Sequence, residues 1–275
     1  MNRIDLLFKR LQKAEEAALI PFITAGDPDM ATTEALLEEL EKAGADLIEL
    51  GFPFSDPLAD GPTIQAASQR SLRGGTTLED VLDLVARFRT HSQIPIVIMG
   101  YYNPILQFGL ARFAERAASS GVDGTIIPDL PLEEAGPWMR EADAHGIANI
   151  LFAAPTTPDT RLGRIASKTR GFLYYVSVTG ITGGRTELPP DLLEGVRRAK
   201  GTTKRPVCVG FGISTPEQVS LLAPAADGII VGSALIRVME RHIQADDTGY
   251  GSGPGLVEEA GAFVRSLKEA TRHFQ

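Results

Sequence analysis

The sequence predicts a (β/α)8 TIM barrel. Eight short apolar runs recur along the chain, and helical patterns fill the intervals between them. The alternation occupies most of 275 residues, close to the roughly 250 typical of this fold. The runs are Leu19–Ala25, Leu47–Phe52, Ile94–Gly100, Gly124–Asp129, Asn149–Ala154, Phe172–Ser177, Val207–Gly212 and Gly228–Gly232. They are too short for typical helices and rich in β-branched residues, so they read as strands. Their near-continuous apolar character suits parallel strands covered on the outside. A doubly wound open sheet would alternate in the same way. Eight runs favour closure, and no GxGxxG follows the first run, which weakens a dinucleotide-binding reading.

The helices follow in order. Arg3–Ala14 precedes the first strand as an extra N-terminal helix. Thr32–Lys42 turns Leu36, Leu37 and Leu40 to one side, and Glu79–Arg89 does the same with Val81, Leu82, Val85 and Phe88. Between them an added helix spans Pro62–Arg73. Ile105–Ala118, Glu133–His145, Asp159–Lys168 and Pro190–Ala199 continue the rhythm. Thr157-Pro158-Asp159 opens one helix. Ser214-Thr215-Pro216-Glu217 opens another, with a hydroxyl cap, a proline in the first turn and a glutamate placed for a capping box. Leu256–Arg272 closes the chain after Gly249–Gly255, a glycine-rich loop. Residues 1–275 read as one barrel domain with extra helices in its βα connections.

Two connections are long. The ends of the second and third runs, Gly51 and Gly100, lie farther apart than any other neighbouring pair. The extra length falls in Pro53–Gly61 and the added helix. Val178–Pro189, after the sixth run, is rich in glycine and threonine and suits a closing lid. Function in this fold sits on the loops that follow the strands.

An apolar fraction of 43% and a charged fraction of 23% exclude a disordered or fibrous chain. A net charge of −8 disfavours nonspecific binding to nucleic acid or anionic membranes. No apolar run approaches the roughly 20 residues that span a bilayer. Met1–Glu16 is interrupted by Arg3, Asp5, Lys9, Arg10 and Lys13 and lacks the apolar core of a signal peptide. Cys208 has no second cysteine to pair with, so a reducing cytoplasm is the expected location.

Glu49 is the first candidate for chemistry. Strand alternation puts Leu47, Glu49 and Gly51 on one face and Leu50 on the other. A carboxyl in apolar surroundings at the mouth of a barrel has a raised pKa and suits proton transfer. The same position also suits a structural glutamate paired with an arginine. Asp56 and Asp60 lie in the following loop, where one reading supplies a second carboxylate to the same pocket and the other makes Asp-Pro and Asp-Gly plain turns. Gly210-Phe211-Gly212-Ile213-Ser214 and Gly232-Ser233-Ala234 close the last two runs. Those two loops and a helix N-terminus commonly form a phosphate site in barrels, although either glycine cluster alone is explained as a turn. No lysine ends a strand, which argues against Schiff-base chemistry. The histidines His91, His145, His242 and His273 lack metal-ligand spacing. Ser55 and Ser233 have no histidine nearby in sequence, and Cys208 within a strand reads as a buried, inert thiol. Carboxylates, a tyrosine and the substrate's own electrophilicity remain.

Across nearly its whole length the sequence resembles the tryptophan synthase α-subunit family. The resemblance is carried by Pro21-Phe22-Ile23-Thr24-Ala25-Gly26-Asp27-Pro28 and by the long segment from Leu47 through Glu49, Phe52-Pro53-Phe54-Ser55-Asp56-Pro57-Leu58-Ala59-Asp60-Gly61 to Gln65. Asp129-Leu130-Pro131, Tyr174-Tyr175-Val176-Ser177, Gly180-Ile181-Thr182-Gly183 and the two glycine clusters add to it. It implies retro-aldol cleavage of indole-3-glycerol phosphate to indole and glyceraldehyde 3-phosphate. Glu49 then resembles the general acid–base, Asp60 the carboxylate that holds the indole N–H, and Tyr174 an active-site tyrosine that orients Glu49 or the substrate. Tyr175 stands beside it, one residue out of register. Thr182 matches the lid threonine that touches Asp60 on closure. Gly183, Phe211, Gly212, Gly232 and Ser233 match the phosphate-binding set, and Phe22, Tyr101 and Phe211 the apolar walls. The resemblance also implies a β subunit partner in an α2β2 heterotetramer, met by Pro53 and Asp56, by the loop around Asn103 and by Asp129 and Pro131. Pyridoxal phosphate belongs to that partner, so no cofactor and no metal is expected on this chain. The 244–255 stretch departs from the family pattern without touching a catalytic motif. Two alternatives share the barrel. One is a free-standing indole-3-glycerol phosphate lyase with the same residues. The other is a phosphosugar-binding regulatory barrel, which would need neither Glu49 nor Asp60 at a reacting ring.

Overall fold

The N-terminal helix starts where Asn2 accepts the Ile4 N–H at 2.9 Å. A computed structural model describes residues 2–176, 191–210, 212–246 and 249–272. In chain order these form α1 (Arg3–Ala14), β1 (Ala18–Thr24), α2 (Met30–Lys42), β2 (Ile48–Gly51), α3 (Pro62–Arg73), α4 (Leu78–Phe88), β3 (Ile96–Met99), α5 (Tyr102–Phe108) and α6 (Leu110–Ser120). There follow β4 (Gly124–Ile126), α7 (Gly136–Ala144), β5 (Ala148–Ile150), β6 (Phe152–Ala153), α8 (Asp159–Lys168), β7 (Leu173–Val176), α9 (Leu192–Thr202) and β8 (Val207–Gly210). The chain ends with α10 (Pro216–Leu222), β9 (Gly228–Val231), α11 (Ser233–Glu240), β10 (Ile243–Asp246), β11 (Gly249–Ser252) and α12 (Leu256–Glu269).

Strands β1 to β9 are parallel, in the order β5-β4-β3-β2-β1-β9-β8-β7-β6. The two edge strands are consecutive in sequence and parted only by Leu151, whose carbonyl accepts the Tyr174 N–H at 3.0 Å. The edges therefore meet, and β5 and β6 are two halves of the fifth predicted strand. The fold is a (β/α)8 TIM barrel with an extra N-terminal helix and extra helices in its connections.

Alternation along each strand sorts the side chains. Ile48, Leu50, Ile96 and Ile98 face outward and join Leu36, Leu40, Val81, Val85 and Phe113 of the surrounding helices. Ile20, Leu47, Val97, Ile126, Ile150, Phe172, Tyr174, Cys208 and Ile230 fill the lumen. The apolar stripe of α1, made by Ile4, Leu7, Phe8 and Leu11, belongs to that inner cluster and seals the barrel floor. Three reciprocal pairs pin the same end. The Asp46 N–H donates to the Leu19 carbonyl while its carboxylate accepts the Leu19 N–H, and Asp123 with Ile96 and Asp227 with Val207 repeat the exchange. These bonds satisfy strand-end groups that would otherwise lack partners.

Several boundaries differ from expectation. The single helix predicted over Ile105–Ala118 is two helices, because Gly109 takes a left-handed φ of 94° between them. Asn103 accordingly lies on α5 and not in a loop. Helix α7 begins at Gly136, three residues later than predicted, with Pro137 in its first turn. The capping box of α10 uses Thr215 and Gln218, not Glu217. The stretch read as a glycine-rich loop contains β11, which pairs antiparallel with β10. Among the described residues, no helix is long and apolar enough to cross a membrane.

Candidate active site

Strand β2 runs between β1 and β3, with Glu49 opposite Phe22 on one side and Val97 on the other. Leu47 below it lines the lumen, so the alternation that turns Leu50 outward turns Glu49 inward. The Glu49 side chain is buried, and its Oε2 has no hydrogen-bond partner among the described residues. Burial, and secondarily the charge of Asp60, push its pKa up to about 8. It therefore holds a proton at neutral pH, as an acid in apolar surroundings must.

Asp60 is brought to the same mouth by the loop after β2. Its N–H donates to the Pro57 carbonyl at 3.0 Å, and the Gln65 side-chain amide donates to its carbonyl at 2.9 Å. Burial raises the Asp60 carboxyl to about 6, against the hydrogen bond from the Tyr101 hydroxyl, which lowers it. The Tyr101 oxygen also accepts the Ala59 N–H at 3.0 Å, and its ring stacks on Phe54 with centroids 5.2 Å apart. Burial and the neighbouring Asp60 charge hold the Tyr101 hydroxyl well above its usual range. At neutral pH the mouth thus contains a protonated Glu49 and a largely ionised Asp60.

Tyr174 on β7 lies opposite Phe152 and Cys208, with its ring 4.8 Å from that of Phe152. Burial and the Glu49 charge raise its hydroxyl far above the ordinary value. Gly210 on β8 leaves the space into which this hydroxyl reaches, since a Cβ there would collide with it. Tyr175 points outward, and its hydroxyl occupies the space a Cβ on Gly195 of α9 would need. The inward tyrosine is therefore Tyr174. Cys208 is buried in the lumen, and burial raises its thiol.

Phe22 joins this region to the other half of the mouth. A Cβ at Gly51 would come within 2.8 Å of its ring and one at Gly232 within 3.3 Å. Phe22 packs with Ala67 of α3 and Ile236 of α11. Gly232 stands at the N-cap of α11 with no side-chain cap, and Ser233 is the first helical residue. The backbone amides at a helix start suit an anion. Gly212 has a φ of 76°, a conformation open to glycine. Thr182, Gly183 and Phe211 lie outside the described residues, as does the Val178–Pro189 connection.

Of the expected partner-facing residues, Asp56, Asn103, Asp129 and Pro131 are exposed and Pro53 is buried. The Asp129 carboxylate accepts the Tyr102 N–H at 2.9 Å at the start of α5. Leu58, between Asp56 and Asp60, is 93% exposed. Among the described residues, no three His, Cys, Asp or Glu side chains gather as a metal-ligand set. Sequence reasoning missed the Tyr101–Asp60 bond, assigning Tyr101 only an apolar wall. It also gave no role to Asp27, although Gly26-Asp27-Pro28 was a conspicuous motif.

The family model described as tryptophan synthase alpha chain matches residues 8–259. Curated proteins named tryptophan synthase alpha chain are similar over nearly their full lengths. That of Geotalea daltonii is 52% identical, covering 98% of each chain. That of Citrifermentans bemidjiense is 49% identical, covering 98% of this chain and 97% of its own. The solved tryptophan synthase alpha chain of Legionella pneumophila superposes with a TM-score of 0.87 at 39% identity, covering 98% of this chain and 97% of that one. A chain of Mycobacterium tuberculosis tryptophan synthase gives 0.88 at 33%, covering 99% of both. Likeness of this extent, in sequence and in fold together, establishes that the chain belongs to the tryptophan synthase alpha chain family.

Proposed function

We propose that this chain is a carbon–carbon lyase that cleaves indole-3-glycerol phosphate to indole and glyceraldehyde 3-phosphate. The observation that carries the reading is the pair of unlike carboxyls in one mouth. Glu49 is buried with its proton retained to about pH 8, and Asp60 ionises above about 6. Opposed pKa values mark an acid and a base set by environment.

Glu49 donates its proton to C3 of the indole ring. Positive charge then spreads to the ring nitrogen, whose N–H donates to the Asp60 carboxylate. The Glu49 carboxylate takes the proton of the glycerol hydroxyl next to the ring. That oxygen's electrons form the aldehyde carbonyl, the carbon–carbon bond breaks, and its electron pair returns to the ring as indole. The protonated ring is the electron sink, so neither a lysine nor a metal is called for. Tyr174 orients Glu49, and Phe22 and Tyr101 wall the ring. Gly212, Gly232 and Ser233 hold the phosphate with Gly183 and Phe211, and Thr182 closes on Asp60. The chain acts as one barrel domain in the cytoplasm and takes no cofactor. It passes indole to a β subunit that carries pyridoxal phosphate, in an α2β2 assembly that meets Pro53, Asp56, Asn103, Asp129 and Pro131. Membership of the alpha chain family supports that partner.

The test is to supply indole-3-glycerol phosphate and assay indole with and without a β subunit. Slow release alone and strong stimulation by the partner are expected. Fast release without stimulation would identify a free-standing lyase, and no release under either condition would overturn the reading.

A further inference from the structure

Helices α3 and α11 both start at the mouth and pack side by side, with Ala67 and Ile236 meeting beneath Phe22. Asp60 lies two residues before α3, and Ser233 opens α11. Their far ends meet at one guanidinium. Arg70 holds the fully buried Asp27 carboxylate with Nε at 2.6 Å and Nη2 at 2.9 Å, and donates from Nη1 to Glu240 at 3.1 Å. Asp27 belongs to the loop after β1, and the neighbouring Ser71 hydroxyl donates to the Ala25 carbonyl at 2.6 Å. At 1.5 Å per residue, Arg70 lies about 12 Å along α3 from Pro62, and Glu240 about 10 Å along α11 from Ser233. The clamp and the two helices form a fork whose open tips carry the Asp60 loop and the anion-accepting amides.

We propose that Arg70 is a positioning residue, which, by bridging Asp27 and Glu240, sets the span between Asp60 and the phosphate end of the substrate. The inference rests on the function proposed above. A substrate anchored at both ends reacts only if those anchors stand the right distance apart, and a misplacement of about 1 Å can cost about a hundredfold. Each anchor taken alone is indifferent to that distance. Arginine suits the task because its planar fork reaches three oxygens at once, whereas a lysine is a single point charge.

The experiment uses the complex with a β subunit and two variants. Arg70→Lys keeps a cation beside Asp27 but cannot bridge. Glu240→Gln removes charge only from the partly exposed arm and carries the test if the first variant does not fold. Three probes are titrated against the wild type: inorganic phosphate, indole, and an indole joined through three carbons to a phosphate. Phosphate and indole should bind within about twofold of wild type. The bridged ligand, and kcat/KM, should fall about 10- to 100-fold in Arg70→Lys and less in Glu240→Gln. Folded variants that keep bridged-ligand affinity and kcat/KM within twofold overturn the proposal. Equal losses on all three probes also overturn it, since they assign Arg70 to general stability. A wild-type chain that ignores the bridged ligand and releases no indole overturns the function reading instead.

Discussion

Replacing Glu49 by glutamine should stabilise the fold while it removes the chemistry, and the gain should grow with pH. In the unfolded chain a glutamate ionises near 4.5, whereas in the barrel Glu49 keeps its proton to about 8. Between those values the folded state binds one more proton than the unfolded state. Wild-type stability therefore falls as pH rises, by about 1.36 kcal/mol per pH unit. Above both values the full cost approaches about 5 kcal/mol. Glutamine does not ionise and escapes this slope. The stability advantage of Glu49→Gln should widen by about 3 kcal/mol from about pH 5.5 to about pH 8.5. The buried amide adds an offset, but that offset is the same at both pH values. Urea unfolding followed by Trp138, the sole tryptophan and a buried one, measures the difference directly. Turnover in the same variant should drop by about 10²–10⁴, the contribution of a positioned acid–base group. A stability difference that stays constant across the range would refute the claim that Glu49 is protonated by its surroundings.

The kcat/KM profile should be bell-shaped, with an acid limb near 6 from Asp60 and an alkaline limb near 8 from Glu49. Tyr101→Phe deletes the bond that lowers Asp60, so its acid limb should move to higher pH, and an unmoved limb would contradict that contact. Tyr174→Phe should slow turnover about tenfold, the worth of about one hydrogen bond. Tyr175→Phe should leave turnover unchanged and be neutral or stabilising by about 1 kcal/mol, because its buried hydroxyl has no partner among the described residues; the reverse pattern would exchange the two tyrosines. Gly100→Ala drives a Cβ into the Phe52 ring and should cost about 1–3 kcal/mol in thermal unfolding, so an unaffected melting temperature would count against the packing described.

Much of the architecture was legible because parallel strands are buried on both sides. Runs such as Ile96–Met99 and Gly228–Val231 stand out as unbroken apolar segments. Arg3–Ala14, Pro62–Arg73 and Asp159–Lys168 carry complete helical signals, and their predicted limits are the observed ones. The break at Gly109 was hidden because the apolar spacing continues across it. The β10–β11 pair was hidden because Gly249 and Gly251 carry no side-chain alternation. Glu49 was conspicuous as an acid inside an apolar strand. Asp60 was not, since Asp-Gly is a common turn and only family likeness singled it out. Arg70 and Asp27 lie 43 positions apart, and no local pattern joins them.

The plugged base of the barrel also determines where protons can travel. Among the described residues, Ile4, Leu7, Phe8 and Leu11 close that end with hydrocarbon, which leaves the rim above Glu49 as its way to bulk water. A substrate seated there would cover that route. With Glu49 as the proposed acid, the hydrogen it delivers to the ring would be one taken up before binding, and it should keep its isotopic label through the turnover even when the solvent is switched.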